Sequence, residues 1–217
     1  MSFQDVVQVA QEEFPDLTIA YKDQSTFMKI LGTILFFNKD FMNNYITTIG
    51  STVYFPSESF ISKDPDDSAV VLMHELVHVS DSKKYTSVIF KLGYLFPQIL
   101  SVLSLFIFFV SWKIALPLVL FFLLPLPAPF RMYFEKRGYL VSAYADWQVA
   151  KKLNLNPEMA SQEEFYVGQF KGSGYYFMWP FSNIQTDFDQ ATVLINQGKQ
   201  PYNDPIFVTI DKMIAKL

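Results

Sequence analysis

The chain has 217 residues, a formal net charge of −4 and no cysteine, which suits one domain, or one domain with an insertion, and excludes disulfide scaffolds and thiolate metal sites. The acidic balance gives no general case for nucleic-acid binding, so no nucleic-acid partner is expected. Hydrophobic residues make up 51% and aromatic residues 18% of the chain, which is high for a water-soluble domain and indicates contact with a lipid bilayer.

The first sixty residues predict a short helix followed by a β-rich region. Residues 3–14 have the apolar spacing of an amphipathic helix that ends near Pro15. From Thr26 to Phe60, the runs MKILGTILFFN and NYITTIGSTVYF predict extended strands, with turn residues at Asn43-Asn44 and Gly50-Ser51. No basic region followed by an apolar run begins the chain, so we expect no secretory signal and an N-terminus on the cytosolic side.

A histidine pair around a glutamate marks the next segment. His74, Glu75 and His78 form the pattern H-E-x-x-H, and the chain has no other histidine. Residues four apart lie on one face of a helix, so both imidazoles can reach one ion. Glu75 is placed to hold a water on that ion and take its proton, and zinc is the metal that suits imidazole and carboxylate ligands. The alternative is that both histidines are ordinary polar residues at the edge of a buried helix.

The context of the motif favours a real helix and a metal site. Asp64, followed by Pro65 and two more acids, is a favourable helix start, so a helix from about Asp64 to Asp81 is predicted. Apolar residues surround both histidines, and a buried imidazole pair without a partner would be costly.

An almost entirely apolar stretch follows, from Leu92 to Phe130. Its first arm, about Leu92–Trp112, is long enough to cross a hydrocarbon core of about 30 Å. The second arm, Ile114–Leu126, is shorter and contains prolines, which fits a kinked helix or half of a re-entrant hairpin. We therefore predict a membrane-inserted helical hairpin at 92–130. A buried pair of core helices is the alternative for a water-soluble protein.

Basic residues flank this stretch on both sides, whereas Lys113 is the one charge near its tip. The positive-inside rule places both flanks in the cytoplasm, so we expect a membrane protein whose catalytic domain faces the cytoplasm. A hairpin also returns the chain to the side it left. Residues 1–91 and 131–217 are therefore predicted to form the two parts of one domain, which holds the metal site. The flanking cations are Lys83, Lys84, Lys91, Arg131, Lys136 and Arg137.

Two histidines leave a zinc ion under-coordinated, so a third ligand is expected from a carboxylate. Residues 129–153 have helical texture, and Glu135, Tyr139, Ser142 and Asp146 form one polar stripe along that helix. Glu135 is the preferred ligand and Asp146 its rival. Asp81 is a weaker rival, better suited to orient a histidine by a hydrogen bond. The alternative for the stripe is an ordinary solvated face.

The H-E-x-x-H motif with a glutamate on a later helix resembles the gluzincin metallopeptidases. The order of parts is also similar to the membrane-embedded zinc proteases related to prenyl-protein endopeptidases and bacterial heat-shock membrane proteases, where an Arg-containing helix carries the third ligand. Arg131 and Glu135 fit that helix. Those proteases continue E-x-x-A-D, whereas this chain has Tyr139 at the position of the aspartate. The E-x-x-G-Y form resembles small zincin-like proteins of bacteria and their phages.

The resemblance implies an α+β fold: a zincin-like domain with a small mixed sheet, an HExxH helix and a third-ligand helix, interrupted by the apolar hairpin. It implies a membrane-anchored zinc metallopeptidase that hydrolyses a peptide or protein substrate, with Zn²⁺ on His74, His78 and Glu135 and with Glu75 as general base. An edge strand within Tyr45–Phe55 would bind the extended substrate by main-chain pairing. A plain core strand fits that segment equally well.

The sequence leaves several choices open. A tyrosine near the metal is expected to stabilise the oxyanion, and the candidates are Tyr139, Tyr144, Tyr175 and Tyr176. A non-catalytic membrane protein with a structural zinc is a second hypothesis, in which Asp146 or Asp81 joins the other ligands. A holin-like hairpin protein with a coincidental motif is a third. Residues of about 182–197 and 204–216 predict closing helices.

Overall fold

The structure is a computed structural model that describes residues 3–36, 38–155 and 159–217. Helices make up most of it. One small mixed sheet accompanies the helices, so the α+β class expected from the sequence is confirmed at this coarse level. The strands are β1 (Thr18–Tyr21), β2 (Thr47–Ile49) and β3 (Thr52–Phe55). The α-helices are α1 (Phe3–Glu13), α2 (Thr26–Ile34), α3 (Glu58–Lys63), α4 (Pro65–Lys84), α5 (Ser87–Leu95), α6 (Ile99–Ser104), α7 (Trp112–Phe122), α8 (Pro129–Lys152), α9 (Met159–Lys171), α10 (Asn183–Asn196) and α11 (Ile206–Ile214).

The sheet has β3 at its centre, with β1 parallel on one side and β2 antiparallel on the other. β2 and β3 form a hairpin through Gly50, whose φ of 65° is a turn conformation that glycine adopts without strain. Val53 and Phe55 of β3 are buried in the core. Within the predicted segment Tyr45–Phe55, β3 is therefore a core strand and β2 is an edge strand. Both strands pack against α4.

The structure corrects the first part of the predicted β-rich region, which begins at Thr26, and confirms the second part as β2 and β3. Helix α2 occupies Thr26–Ile34, and its first turn is capped by Ser25, whose side chain accepts a hydrogen bond from the backbone N–H of Met28. Met28 is buried, whereas Ile30 and Ile34 are exposed. The β-branched residues suit a strand by composition, but the Ser25 cap begins a helix here, and the helix buries Met28. Neither the short strand β1 nor the helix α9 was predicted from the sequence.

Helices α4 and α8 pack along each other at the centre of the molecule. Asp64 caps α4 by accepting a hydrogen bond from the N–H of Asp67, and Pro65 lies in the first turn, as the sequence predicts. α4 is largely buried from Ser68 onward, and α8 is largely buried from Phe134 to Ala145. The predicted helices at the N-terminus, at 129–153 and near the C-terminus are confirmed as α1, α8, α10 and α11.

The apolar stretch is divided into short elements, so its predicted first arm is not one helix. α5 ends at Leu95, and a second unit, α6 continued by a 3₁₀ helix at Leu105–Phe109, makes an angle of 91° with it. Pro97 lies at this corner, where its ring removes a backbone donor and disfavours helix in the residue before it. In the described ranges, no helix alone has both the length and the apolar character to cross a bilayer, whereas the bent pair has them when its two parts are taken together.

α6 with its 3₁₀ extension packs against α7, and the two form the arms of a hairpin. The large apolar side chains of this hairpin mostly point away from the rest of the protein, which contradicts the alternative of a buried pair of core helices. At least 42% of each of the following side chains is exposed: Val102, Leu103, Leu105, Phe106, Phe108, Phe109, Val110, Trp112, Ile114, Leu116, Leu120, Phe121, Leu123 and Leu124.

Candidate metal centre

Three buried side chains from two helices converge at the interface of α4 and α8. His74 and His78 lie on α4 and Glu135 lies on α8, and one ligand atom of each lies within 4.8 Å of the others. The two Nε2 atoms are 3.2 Å apart. Glu135 places Oε2 3.3 Å from Nε2 of His74 and Oε1 3.5 Å from Nε2 of His78. The structure therefore brings together the three residues that the sequence proposed as ligands, in a group able to hold a metal ion.

The spacing and chemistry of this group fit a zinc ion. Donor atoms that bind a tetrahedral zinc at about 2.0 to 2.2 Å lie about 3.3 to 3.6 Å from each other, close to the measured separations. Oε2 of Glu135 is buried and faces Nε2 of His74 at 3.3 Å without a well-formed hydrogen bond to any described residue, as expected of an oxygen that can accept a metal ion. Two imidazole nitrogens and one carboxylate oxygen are also a common ligand set for catalytic zinc.

The ionisation of the group couples metal binding to the release of a proton. Burial lowers the pKa of His78, but the adjacent Glu135 carboxylate outweighs burial and raises that pKa to about 9. Burial raises the pKa of Glu135, but the facing imidazoles outweigh burial and hold that pKa well below its usual range. The carboxylate is therefore charged, and a proton on His78 competes with a metal ion for the same nitrogen. Metal binding is expected to release that proton.

Gly138 explains how the two helices come close enough for this contact. It lies one turn after Glu135 on α8, and a Cβ at this position would stand only 2.6 Å from Nε2 of His74. Glycine in a helix interior costs roughly 0.5–1 kcal/mol relative to alanine, so its presence here has a packing reason. The glycine of the E-x-x-G-Y sequence is thus the point where α8 accommodates the first histidine.

Two hydroxyl groups contact the ligands from outside the group. Tyr94 on α5 donates a hydrogen bond to Oε1 of Glu135, and Oγ of Ser142 lies 3.4 Å from Nδ1 of His74. Contacts of this kind orient ligands and tune their basicity. Ser142 belongs to the polar stripe that the sequence predicts, whereas no sequence pattern predicted Tyr94. The one feature of the sequence that could have indicated Tyr94 is its hydroxyl group, which lies near the start of an otherwise apolar stretch.

The proposed general base lies beside the ligands and is held by the sheet. Oγ1 of Thr48, on edge strand β2, donates a 2.6 Å hydrogen bond to Oε2 of Glu75. This bond leaves Oε1 of Glu75 to accept a proton from another molecule. Thr48 could not be predicted, because nothing in the sequence of a three-residue strand shows which helix the strand will contact.

Two of the four candidate tyrosines lie near the ligand group. The ring of Tyr139 is 4.7 Å from the ring of His74, and its hydroxyl donates a 2.9 Å hydrogen bond to the hydroxyl of Tyr175. Burial raises the pKa of Tyr175 well above its ordinary value, and the negative charge of Glu135 raises it further. Tyr175 therefore keeps its own proton available for donation. Tyr144 instead donates to Asp211 and Tyr176 to the carbonyl of Leu123.

The structure places both rival carboxylates outside the ligand group. Asp146 accepts a hydrogen bond from the hydroxyl of Tyr166, and burial raises its pKa to about 6. Asp81 binds Arg137, and Nδ1 of His78 has no hydrogen-bond partner among the described residues. The role of Asp81 in orienting a histidine stays a prediction, because one of its carboxylate oxygens binds Arg137 and the other has no hydrogen-bond partner among the described residues. Neither acid supplies the fourth ligand of a closed structural site.

Arg137 and Asp81 form a buried pair one turn from the ligands. Arg137 follows Glu135 by two residues on α8, and Asp81 follows His78 by three residues on α4. The second nitrogen of the guanidinium donates a 2.7 Å hydrogen bond to Asp204, ahead of α11. This set of charges thus joins the two ligand helices to the C-terminal helix.

Replacing Arg137 with methionine is expected to lower the free energy of unfolding by about 3–5 kcal/mol, because it leaves Asp81 buried without its cation. Urea unfolding followed by helical circular dichroism measures this loss. The matched control is Lys136→Met, which removes a partly exposed 2.7 Å bridge to Asp187 and should cost at most about 1 kcal/mol. Equal losses in the two variants would contradict the role given to the buried pair.

Comparisons of this chain with protein-family models, with curated proteins and with solved structures found no match.

Proposed function

We propose that this protein is a zinc-dependent metallopeptidase, anchored to a membrane with its catalytic domain facing the cytoplasm. The observation that carries the proposal is the buried group of His74, His78 and Glu135, whose ligand atoms lie within 4.8 Å of one another beside Glu75. A group that met by chance would not be expected to combine ligand spacing, burial and a neighbouring carboxylate held by a hydrogen bond.

The arrangement of elements around the group supports a zincin-like domain. A small mixed sheet precedes α4, which carries the motif, and α8 supplies the third ligand after the apolar hairpin. β2 is an edge strand, and its Thr48 contacts Glu75. An extended peptide that added to this edge would lie along the ligand group. The proposed substrate is therefore a peptide or protein segment in an extended conformation.

The chemistry assigned to the residues is acid–base catalysis of peptide hydrolysis. Zinc held by the three ligands would polarise the scissile carbonyl and lower the pKa of water from about 15.7 towards about 7. Glu75 accepts the proton of the attacking water at Oε1, while Thr48 holds Oε2, and it then returns a proton to the leaving amine. We assign to Tyr175, whose hydroxyl accepts from Tyr139 and keeps its own proton, the donation to the carbonyl oxygen as negative charge develops there.

Exposed apolar surface supports the membrane part of the proposal. The hairpin formed by residues 99–122 exposes large aliphatic and aromatic side chains, far beyond the scattered apolar residues that are normal on a soluble surface. The cations flanking the hairpin favour a cytoplasmic position for both flanks.

Peptide hydrolysis by the zinc-loaded protein is the direct test. We expect cleavage of a mixture of unstructured peptides, loss of cleavage on chelation, and recovery when Zn²⁺ is restored. Helical circular dichroism should persist after chelation, because the α4–α8 contact is also maintained by a large apolar core. Unfolding on chelation would favour a structural zinc instead. A purified protein with no stoichiometric metal would favour a hairpin protein with a coincidental motif.

A further inference from the structure

We propose that the apolar hairpin enters only one leaflet of a bilayer while α5 lies flat on that leaflet, so that the metal centre stands at the membrane surface. The substrate class that follows from this inference rests on the proposed function. The substrate would be a peptide segment close to the bilayer, in a membrane-anchored or membrane-bound protein.

The arms of the hairpin have the length of one leaflet. Residues 99–109 form the first arm and Trp112–Phe122 the second, with eleven residues in each. At about 1.5 Å per α-helical residue and about 2.0 Å per 3₁₀ residue, the arms are about 16 to 19 Å long. A hydrocarbon core of about 30 Å has leaflets of about 15 Å. The hairpin therefore reaches the middle of the bilayer without crossing it.

The right-angle bend orients α5. If the hairpin stands along the membrane normal, the 91° angle at Pro97 puts α5 in the plane of the membrane surface. α5 also has the surface that such a position needs. Val88, Ile89 and Leu92 are each at least 50% exposed on its outer side, whereas Phe90 is buried on the inner side. Helices with this pattern lie in the interface with their apolar face in the lipid.

Charge selects a lipid surface as the partner rather than a second copy of the chain or another protein. Between Asp81 and Glu135 the sequence has no acidic residue, although the whole chain carries a net charge of −4. Its charged residues in this span are all cations, and the exposed Lys91 lies next to the apolar face of α5. Basic residues beside an apolar face match anionic lipid headgroups. Four of these cations flank the hairpin, and they are Lys83, Lys84, Lys91 and Arg131, whereas Lys113 lies at its tip. Within the protein, Lys83 also pairs with Asp16 and Arg131 donates to the carbonyl of Tyr94.

Lys113 at the tip is the one feature that opposes insertion. A lysine near the bilayer centre is unfavourable, although its flexible stem lets the ammonium group move towards a more polar layer. The exposed apolar side chains of both arms outnumber it many times, so their transfer into lipid determines the outcome.

Only the thickness of α5 separates the metal centre from this surface. On the inner side of α5, the rings of Phe90 and Tyr94 lie 6.1 and 6.2 Å from the ring of His78. Tyr94 also donates to the ligand Glu135. A helix with its side chains is about 10 to 12 Å across, so a peptide at the metal lies within roughly that distance of the lipid. A segment close to a membrane anchor can reach this position directly.

Single-cysteine labelling tests the depth of the hairpin, because the chain has no cysteine of its own. The full-length Val110→Cys variant, whose probe site is 85% exposed in the protein alone, is added to vesicles of phosphatidylcholine and phosphatidylglycerol. A membrane-impermeant maleimide is supplied outside the vesicles or trapped inside them. We expect no labelling from either side and full labelling after the vesicles are dissolved. Lys199→Cys, on an exposed loop, is the control and should react from outside throughout.

Three results would overturn the one-leaflet arrangement. Labelling by the trapped reagent would mean that the hairpin crosses the bilayer. Unchanged labelling from outside would mean that it does not insert. Protection of Val110→Cys in protein that does not float with the vesicles would mean that a second copy covers the hairpin.

A matched pair of peptides tests the surface position of the metal centre. One peptide is free and the other is tethered through a lipid to the same vesicles by a short spacer. We expect kcat/KM to be roughly tenfold or more higher for the tethered peptide, owing to its local concentration at the surface. Ile89→Glu, on the outer side of α5, should remove most of this preference while cleavage of the free peptide stays unchanged. Val193→Glu, similarly exposed on α10, is the control.

The outcomes separate this inference from the proposed function. Equal cleavage of both peptides would overturn the surface position and leave the peptidase intact. Failure to cleave either peptide would overturn the proposed function and the substrate class together, while the labelling result would decide the membrane arrangement independently.

Discussion

Replacing Glu75 with glutamine is expected to abolish peptide hydrolysis while leaving the metal bound. The substitution keeps the shape of the side chain and an oxygen that Thr48 can still hydrogen-bond, but it removes the group that accepts the proton. Loss of a positioned general base typically costs about 10² to 10⁴ in rate, so kcat should fall at least about 100-fold. Steady-state kinetics and metal analysis of the same preparation measure both effects.

The control for Glu75→Gln is Asp66→Asn, in the exposed first turn of the same helix. It removes a carboxylate from α4 but lies two turns before His74, so activity and metal content should match the unmodified protein. A Glu75→Gln protein with kcat within a few-fold of normal would refute the assigned proton transfer. Loss of metal from Glu75→Gln would show instead that this residue is a ligand.

Replacing Glu135 with alanine is expected to remove the metal and with it all activity. Glu135 is the one carboxylate in the ligand group, and a substitution merely next to a ligand already costs about 10 to 100-fold in metal affinity. Direct loss of a ligand should therefore weaken binding by more than about 100-fold. Metal analysis after dialysis, with circular dichroism to confirm that the helices persist, measures this result.

Asp146→Asn is the matched control for Glu135→Ala, because both acids lie on α8 and both were candidate ligands. The hydroxyl of Tyr166 holds Asp146 away from the group, so this variant should retain its metal. Metal retained by Glu135→Ala, or lost from Asp146→Asn, would reverse the assignment of the third ligand.

Two residues of the candidate ligand group could be predicted because most of the constraints on them are local. Asp64 and Pro65 specify where α4 begins, and a spacing of four then puts His74 and His78 on one face of it. The third ligand followed from the absence of other histidines and of cysteine, which left a carboxylate. The choice between Glu135 and Asp146 was not local, since both lie on the same stripe of the same helix.

The partners of the site could not be predicted, because they are brought in by packing between distant segments. Thr48 is 27 residues from Glu75, and Tyr94 is 41 residues from Glu135. Each contact requires a particular strand or helix to lie beside the motif. The same holds for Asp81, whose position in sequence suggested a contact with His78 but whose charge is met by Arg137 on another helix.

The apolar stretch shows the same division between composition and geometry. Its hydrophobicity predicted membrane contact, but its length alone suggested a first arm that crosses the bilayer. The bend at Pro97 divides that arm, and it turns α5 towards the metal centre. Only the structure shows where each helix of the stretch begins, ends and bends, and therefore that each arm is about as long as one leaflet.

The sequence by itself determined the helix that carries the motif, the two histidines on one face of it, and the chemical type of the third ligand. These follow from capping, helical period and composition, which act within a few residues. Only the tertiary structure decided which carboxylate meets the histidines, which hydroxyls hold Glu75 and Glu135, and how α5 lies beside them. Those contacts depend on the close packing of α4 and α8 at Gly138 and on side chains far apart in the chain, which no local rule relates to one another.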